Sequence, residues 1–263
     1  WKLSAYPEGK LKRLVHYSIN NDDKINNWTK KFNVYWIDEG SMITEHYKNK
    51  SFNDIFGRIF IMGDLECQLP PVISAEEIRL AEKNNEHDRL KQMTTTGFDK
   101  ITTFKFVYRF KCEKLRKICE YLRDLIINGG EYSANTIKDM FQVVNINDLA
   151  KHYNYKEDII LVVRNKGIHS NETYNSLFTD TKLKLMENKN GYYNGNIVYE
   201  KIKNIRSEQR HGYTIHSVQG ETYEHKIFMD FYHIFSQDRI TNLKMFYTAV
   251  SRARTLDQIY IIS

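Results

Sequence analysis

The sequence predicts an α/β protein of two lobes, each an open sheet of parallel strands, with the first lobe truncated at its N-terminus and a small β insertion in the second. Three observations carry this. Short, largely apolar runs occur at residues 34–37, 58–62, 158–163, 226–231 and 258–262, the first ending abruptly in Asp38-Glu39, the pattern of buried strands. Between them Leu115, Ile118, Cys119, Leu122, Leu125 and Ile126 recur at helical spacing with charges on the opposite side, so helices alternate with the strands. At 263 residues and 41% hydrophobic content the chain can bury one large core or two modest ones.

Composition narrows the class. No run approaches the roughly 18 apolar residues of a membrane span, and the N-terminus lacks the apolar block of a signal peptide, so a soluble intracellular protein with no membrane partner is expected. Cys67, Cys112 and Cys119 are odd in number and without CxxC spacing, which argues against a zinc site or a disulfide framework. The net charge of +6 suits a polyanionic partner, although 39 basic against 33 acidic residues also describes an ordinary solvated surface.

Taken in order, residues 1–33 are mixed and polar. Pro7-Glu8-Gly9-Lys10 is not a phosphate-binding loop, because Ser4 stands where that loop needs its first Gly and Leu11 follows the Lys in place of Ser or Thr. The run at 34–37 then delivers Asp38 and Glu39 to its C-terminal end, where open α/β sheets keep their ligands. One carboxylate can hold Mg²⁺ and its neighbour can polarise an attacking water; an isolated Asp-Glu is more often a solvated turn. The run at 58–62 ends in Gly63-Asp64, with Gln68 and the stiff Pro70-Pro71 beyond, so two adjacent parallel strands end in acidic turns. Gln68 can hydrogen-bond a phosphate or a water. Residues 75–97 are charged and predicted helical, then loop-like.

Arg109 precedes the amphipathic helix, which Gly129-Gly130 stops. The strand at 158–163 leads into Arg164-Asn165-Lys166-Gly167 and a helix containing Asn175. Between residues 182 and 207 the chain turns polar, and Asn194-Gly195 among aromatic and β-branched residues signals a hairpin. From Thr214 to Glu221 the pattern predicts a strand, a tight turn at Gly220 and a helix, where backbone N–H groups can meet phosphate oxygens. Leu243, Phe246, Tyr247 and Val250 mark the buried side of a last helix, predicted to carry Arg252 and Arg254 ahead of the strand at 258–262.

Four stretches carry a resemblance: Ile-Asp-Glu-Gly-Ser-Met, Gly-Asp…Gln-Leu-Pro-Pro-Val, Gly-Tyr-Thr-Ile-His-Ser-Val-Gln-Gly-Glu-Thr-Tyr-Glu and Phe-Tyr-Thr-Ala-Val-Ser-Arg. In that order they resemble motifs of superfamily 1 DNA helicases, especially the RecD-like branch that moves 5′ to 3′. The resemblance implies two RecA-like lobes, residues 1–100 and 101–263, with the β insertion near 182–207 and ATP between the lobes. One departure is visible: three residues separate Asp64 from Gln68, where that family has two.

By the same resemblance Asp38 holds Mg²⁺, Glu39 acts on water, Gln68 senses the terminal phosphate, and Arg252 and Arg109 act as arginine fingers. Gly220 offers a backbone N–H and Glu221 accepts from the ribose. Asn165, Thr214, His216 and Ser217 are placed against single-stranded DNA, with RNA as the other possible strand. Against each stands a plainer role: a strand end for Thr214, a satisfied core histidine for His216, a surface charge for Arg109. The 263 residues contain no P-loop, so this chain alone is not expected to hydrolyse ATP efficiently. Because it opens on Trp1 rather than Met, an upstream P-loop segment of a longer parent is expected. The competing expectations are a helicase-derived module that binds nucleic acid or a partner without catalysis, and a viral RNA helicase of the same superfamily.

Overall fold

The computed structural model describes residues 3–5, 12–13, 34–52, 57–104, 109–166, 170–179, 181–187, 189, 191, 197–234 and 238–263. The Pro7–Lys10 stretch and the Asn194-Gly195 turn lie outside these residues. The chain divides into two compact units, Trp1–Phe104 and Lys105–Ser263.

In the first unit β1 (Leu3–Ala5), β2 (Lys12–Arg13), β3 (Val34–Ile37) and β4 (Arg58–Ile61) form one sheet in the order β2-β1-β3-β4. β3 and β4 are parallel, with Val34 opposite Arg58 and Ile37 opposite Ile61, and α1 (Glu45–Phe52) makes the crossover between them. β1 runs antiparallel to β3, so this sheet is mixed, where an all-parallel one was expected. Nor are β3 and β4 buried on both faces: Tyr35 and Ile37 point into the core, while Trp36 and Phe60 stack on the other side at 4.5 Å. That stack remains 37% and 41% exposed. The core behind β3 is Ile37, Ile43 and Met93, with Tyr47, Phe52, Ile59 and Ile61 packed against it. After Pro70-Pro71, α2 (Ala75–Asn84) starts where the Ser74 hydroxyl accepts from the Glu77 N–H at 3.1 Å and ends on Asn85 in a left-handed conformation.

The second unit begins with α3 (Glu113–Ile127), all six of whose predicted apolar positions are buried, and Gly129 and Gly130 stop it at φ 77° and 127°. The chain continues through α4 (Ala134–Lys138), β5 (Gln142–Val144), α5 (Leu149–His152), β6 (Ile159–Val162) and α6 (Asn171–Leu177). Next come β7 (Leu183–Leu185), β8 (Ile197–Val198), β9 (Ser207–Gln209) and β10 (Gly212–Thr214). The unit closes with β11 (Ile227–Asp230), α7 (Phe231–Ile234), α8 (Arg239–Val250) and β12 (Ile259–Ile262). Five strands make an all-parallel sheet in the order β10-β6-β11-β12-β5. Every residue of β6 and β11 is buried, as continuous apolar runs require of a sheet covered on both faces. Val144, Leu149, Tyr174, Phe178, Phe228 and Ile262 pack over one of those faces. β8, β7 and β9 form a separate antiparallel sheet in that order, a small β insertion ahead of β10. Among the described residues no helix is long and apolar enough to cross a membrane.

Candidate functional site

In the first unit the residues expected to form a site, Asp38, Glu39 and Gln68, lie where β3 and β4 end. Ile37 is buried, and the chain then turns Asp38 and Glu39 outward. Glu39 sits at φ 57°, ψ 50°. The other described non-glycine residues with positive φ are Asn85 and Asn204, a residue type that tolerates this region, whereas for Glu it costs roughly 1–2 kcal/mol. The surroundings impose it. Gly40 N–H donates to Met62 O at 2.8 Å and Met62 N–H to Ile37 O at 2.8 Å, tying the two strand ends together. A Cβ on Gly63 would stand 2.6 Å from the Gly40 nitrogen, and one on Gly40 would stand 2.5 Å from the Ile61 side chain. Only glycines permit so close an approach.

Gln68 joins this turn. The wholly buried Ser41 donates its hydroxyl to Gln68 Oε1 at 3.3 Å. The Asp64 carboxylate accepts from Cys67 N–H at 3.1 Å, and Asp64 O accepts from Gln68 N–H at 3.3 Å. The three residues between Asp64 and Gln68 therefore close as one capped turn that returns Gln68 to the Gly40–Met42 segment. Asp38 Oδ1 accepts the Glu39 N–H at 3.0 Å, which orients the exposed carboxylate. Among the described residues no group of three or more His, Cys, Asp or Glu could hold a metal. Mg²⁺ bound with nucleotide takes one or two carboxylates and fills its other positions with phosphate and water, and a single outward Asp fits that kind of site.

In the second unit Arg109 and Arg252 converge on Ser251. Arg109 Nη1 donates to Ser251 O at 2.9 Å. Arg252 donates from Nη2 to Ser251 Oγ at 2.8 Å, from Nε to Thr248 O at 2.9 Å and from Nη1 to Glu221 O at 3.1 Å. Two expectations are corrected here. α8 ends at Val250, so Arg252 and Arg254 lie beyond it, and Arg252 is wholly buried because its guanidinium folds back on the last turn of α8. Nor does a helix follow Gly220. Gly220 has φ 84°, but the short 3-10 turn Ile215–Val218 comes before it, and residues 221 to 226 run straight into β11, too few for a crossover helix. No helix N-terminus presents its amides there; Glu221 instead contributes its backbone carbonyl to Arg252 and leaves its side chain exposed. The neighbouring Cys119 is buried, which pushes its thiol up to about 12, with Arg252 and Arg109 pulling weakly the other way.

The residues expected against a strand of nucleic acid gather at the C-terminal ends of two paired strands. Thr214, the last residue of β10, lies opposite Val162, the last of β6. Asn165 is exposed just past β6, and its carbonyl accepts from Glu172 N–H at 3.3 Å at the start of α6. Ser217 is exposed and donates to Thr214 O at 2.8 Å. Burial holds the His216 imidazole below its usual pKa, which favours the neutral ring over the cation at pH 7. Asn175 is structural: it donates to Gln209 O at 2.9 Å and accepts from His211 N–H at 2.7 Å.

The fold is similar to that of the Pif1 helicases. A Bacteroides Pif1 helicase solved with ADP-AlF3 and single-stranded DNA superposes with a TM-score of 0.58 at 18% identity, over 98% of this chain and 75% of that one. The Candida albicans Pif1 helicase gives 0.56 at 15% identity over 93% and 76%. Bacteroides Pif1 bound to single-stranded DNA gives 0.56 at 15% identity over 98% and 75%. No protein-family model matches the chain, and no curated protein matches it. Identities this low establish the Pif1-like fold and nothing finer.

Two members of the site were not singled out from sequence. Ser41, which holds Gln68, is marked only as a small polar residue following a strand-end glycine. Gly63, against which Gly40 packs, looks like any turn glycine until its distance to Gly40 is known.

Proposed function

We propose that this chain is part of an ATP-dependent helicase of superfamily 1, of the RecD-like 5′ to 3′ branch, that translocates on single-stranded DNA and separates duplexes. The observation that carries the reading is Glu39, held left-handed beside Asp38 at the end of a parallel strand. Backbone strain of this kind persists only where the surroundings over-determine it, and it clusters at functional sites. Asp38 is the residue to hold Mg²⁺, which when bound neutralises charge on the phosphates. Glu39 orients the attacking water and accepts its proton. Gln68, positioned by Ser41, reports the terminal phosphate to that turn. Arg109 and Arg252 supply positive charge for the phosphoryl group, Gly220 offers its backbone N–H, and Glu221 accepts from the ribose. Asn165, Thr214, His216 and Ser217 bind the single strand. In domain terms residues 1–100 and 101–263 are the two RecA-like lobes, with the insertion near 182–207.

Hydrolysis through these residues needs a phosphate cradle, which the 263 residues do not contain; an upstream P-loop segment of the parent supplies it in this reading. The burial of Arg252 favours a second reading, in which the chain binds nucleic acid or a partner without catalysis. Strand displacement by the whole polypeptide separates them. With ATP it should release the strand from a duplex bearing a 5′ tail and not from one bearing a 3′ tail. Release from neither, with oligonucleotide binding retained, would favour the second reading.

A further inference from the structure

The positive charge of the chain is unevenly placed. Residues 182–212 hold seven Lys and Arg against three Glu, so this stretch carries four of the chain's six excess positive charges. Much of that excess lies on one face of the β8-β7-β9 sheet. Lys184 pairs across β7 and β9 with Glu208, and cross-strand partners share a face. Arg206 reaches Glu208 at 3.6 Å from the same side. Arg210 belongs there too: it follows Glu208 by two residues, and its N–H donates to Lys182 O at 2.7 Å, continuing the β7–β9 pairing on the same face. Burial holds both Lys184 and Arg210 below their usual pKa. The Arg210 guanidinium lies 5.4 Å from the Tyr213 ring, and its Nε is buried with no hydrogen-bond partner among the described residues. A buried donor left unmatched is costly, and two desolvated cations beside a single carboxylate form an arrangement that an anion would relieve.

The face continues into a hollow of about 550 Å³ lined by residues 201 to 206, where Lys201, Lys203 and Arg206 are exposed. The Lys189 ammonium donates to Asn204 O at 3.0 Å on the same loop, and Asn204 is left-handed at φ 62°. We propose that Lys184, Lys201, Lys203, Arg206 and Arg210 form a second nucleic-acid surface that takes the sugar-phosphate backbone, apart from the strand ends at Asn165 and Thr214. Clustered cations with an aromatic ring beside them suit a backbone read without regard to sequence, and their spread over a loop and a sheet face suits a run of phosphates rather than one small anion. The inference rests on the reading that the chain binds nucleic acid and adds where the electrostatic part of that binding resides.

The test is anisotropy of a labelled oligothymidylate with the full chain over about 50 to 200 mM salt. Three lost phosphate contacts, each worth about 0.7 in the slope of log K against log salt on a single strand, should flatten that slope by roughly 2 in the triple variant K201Q/K203Q/R206Q. The charge-keeping variant K201R/K203R/R206K should keep the wild-type slope, which a merely structural role would not predict. Replacing Thr214 and Ser217 by Ala should weaken binding at every salt concentration and leave the slope unchanged. If the wild type binds and the triple variant keeps its slope, the second surface is refuted while the helicase reading survives. If the wild type binds no oligonucleotide, both fail. Binding of polyglutamate as tight as that of the oligonucleotide, lost in the same triple variant, would also overturn the proposal and indicate an acidic protein partner.

Discussion

Replacing Gly63 by Ala probes the contact that sets the turn carrying Asp38 and Glu39. The added Cβ would stand 2.6 Å from the Gly40 nitrogen and 3.2 Å from both the Gly40 Cα and the Ser41 nitrogen. All three atoms are backbone, so no side chain can swing aside, and reaching van der Waals distance requires the strand ends to part by about 0.5 Å or more. That movement stretches the 2.8 Å bond from Gly40 N–H to Met62 O. Overpacking costs about 1–3 kcal/mol and a weakened buried hydrogen bond about 1 kcal/mol, so the substitution should cost roughly 2–4 kcal/mol. Equilibrium urea unfolding followed by circular dichroism measures it. Gly97→Ala is the control: Gly97 has φ 85° and nothing within 4 Å of an added Cβ, so it carries backbone strain without a clash and should cost only about 1 kcal/mol. In the whole polypeptide Gly63→Ala should also slow hydrolysis tenfold or more, since a displacement on the order of 1 Å can cost a hundredfold. A Gly63→Ala protein within about 0.5 kcal/mol of wild type would refute the claim that this contact holds Glu39 in place.

Other consequences are open to measurement. Lys182 is buried, donates to Asp158 O at 2.8 Å, and burial pulls its pKa down to about 8. Its folded pKa lies below its unfolded one, so the burial penalty is fully present below pH 8 and is relieved as pH rises toward the unfolded value. Stability should therefore rise between pH 8 and 10 by an amount on the order of 1–3 kcal/mol, and Lys182→Met should abolish the rise; above pH 10 Tyr213, pushed up to about 12, works in the opposite sense. Iodoacetamide with mass spectrometry should modify Cys112 first, because Cys67 and Cys119 are buried and backbone N–H groups of Leu115 and Leu256 lower the Cys112 thiol; faster labelling of Cys119 would contradict its placement. Arg252→Ala should destabilise the second unit by about 3 kcal/mol or more, since it removes a wholly buried side chain with three hydrogen bonds. An unfolding midpoint unchanged from wild type would show that Arg252 is not the tie between α8 and the Glu221 loop.

What was legible in the sequence was whatever long-range packing reinforces locally. β6, β11 and β12 announce themselves as uninterrupted apolar runs because a covered parallel sheet buries both faces, and α3 does so because one side of fifteen residues must be apolar. The antiparallel β1 and β2 carry no such mark; three- and two-residue strands are too short for a period. Ala-Val-Ser-Arg-Ala reads as a continuing helix, and only Arg252 folding back onto Thr248 O shows why α8 stops. The helix expected after Gly220 failed for a reason of length, with β11 starting seven residues on. At the site, the order Asp38, Glu39, Gln68 was readable, but the left-handed Glu39 was not, since nothing in a glutamate asks for that conformation. It is forced from outside by Gly40 and Gly63.

The central claim is tested most directly by single-strand-stimulated ATP hydrolysis in the whole polypeptide, wild type against Glu39→Gln. The amide keeps the shape of the side chain and removes the base, so hydrolysis should fall by about a hundredfold to ten-thousandfold, with oligonucleotide affinity unchanged. Hydrolysis by Glu39→Gln at the wild-type rate, or a wild type whose hydrolysis ignores single strands, would contradict the account.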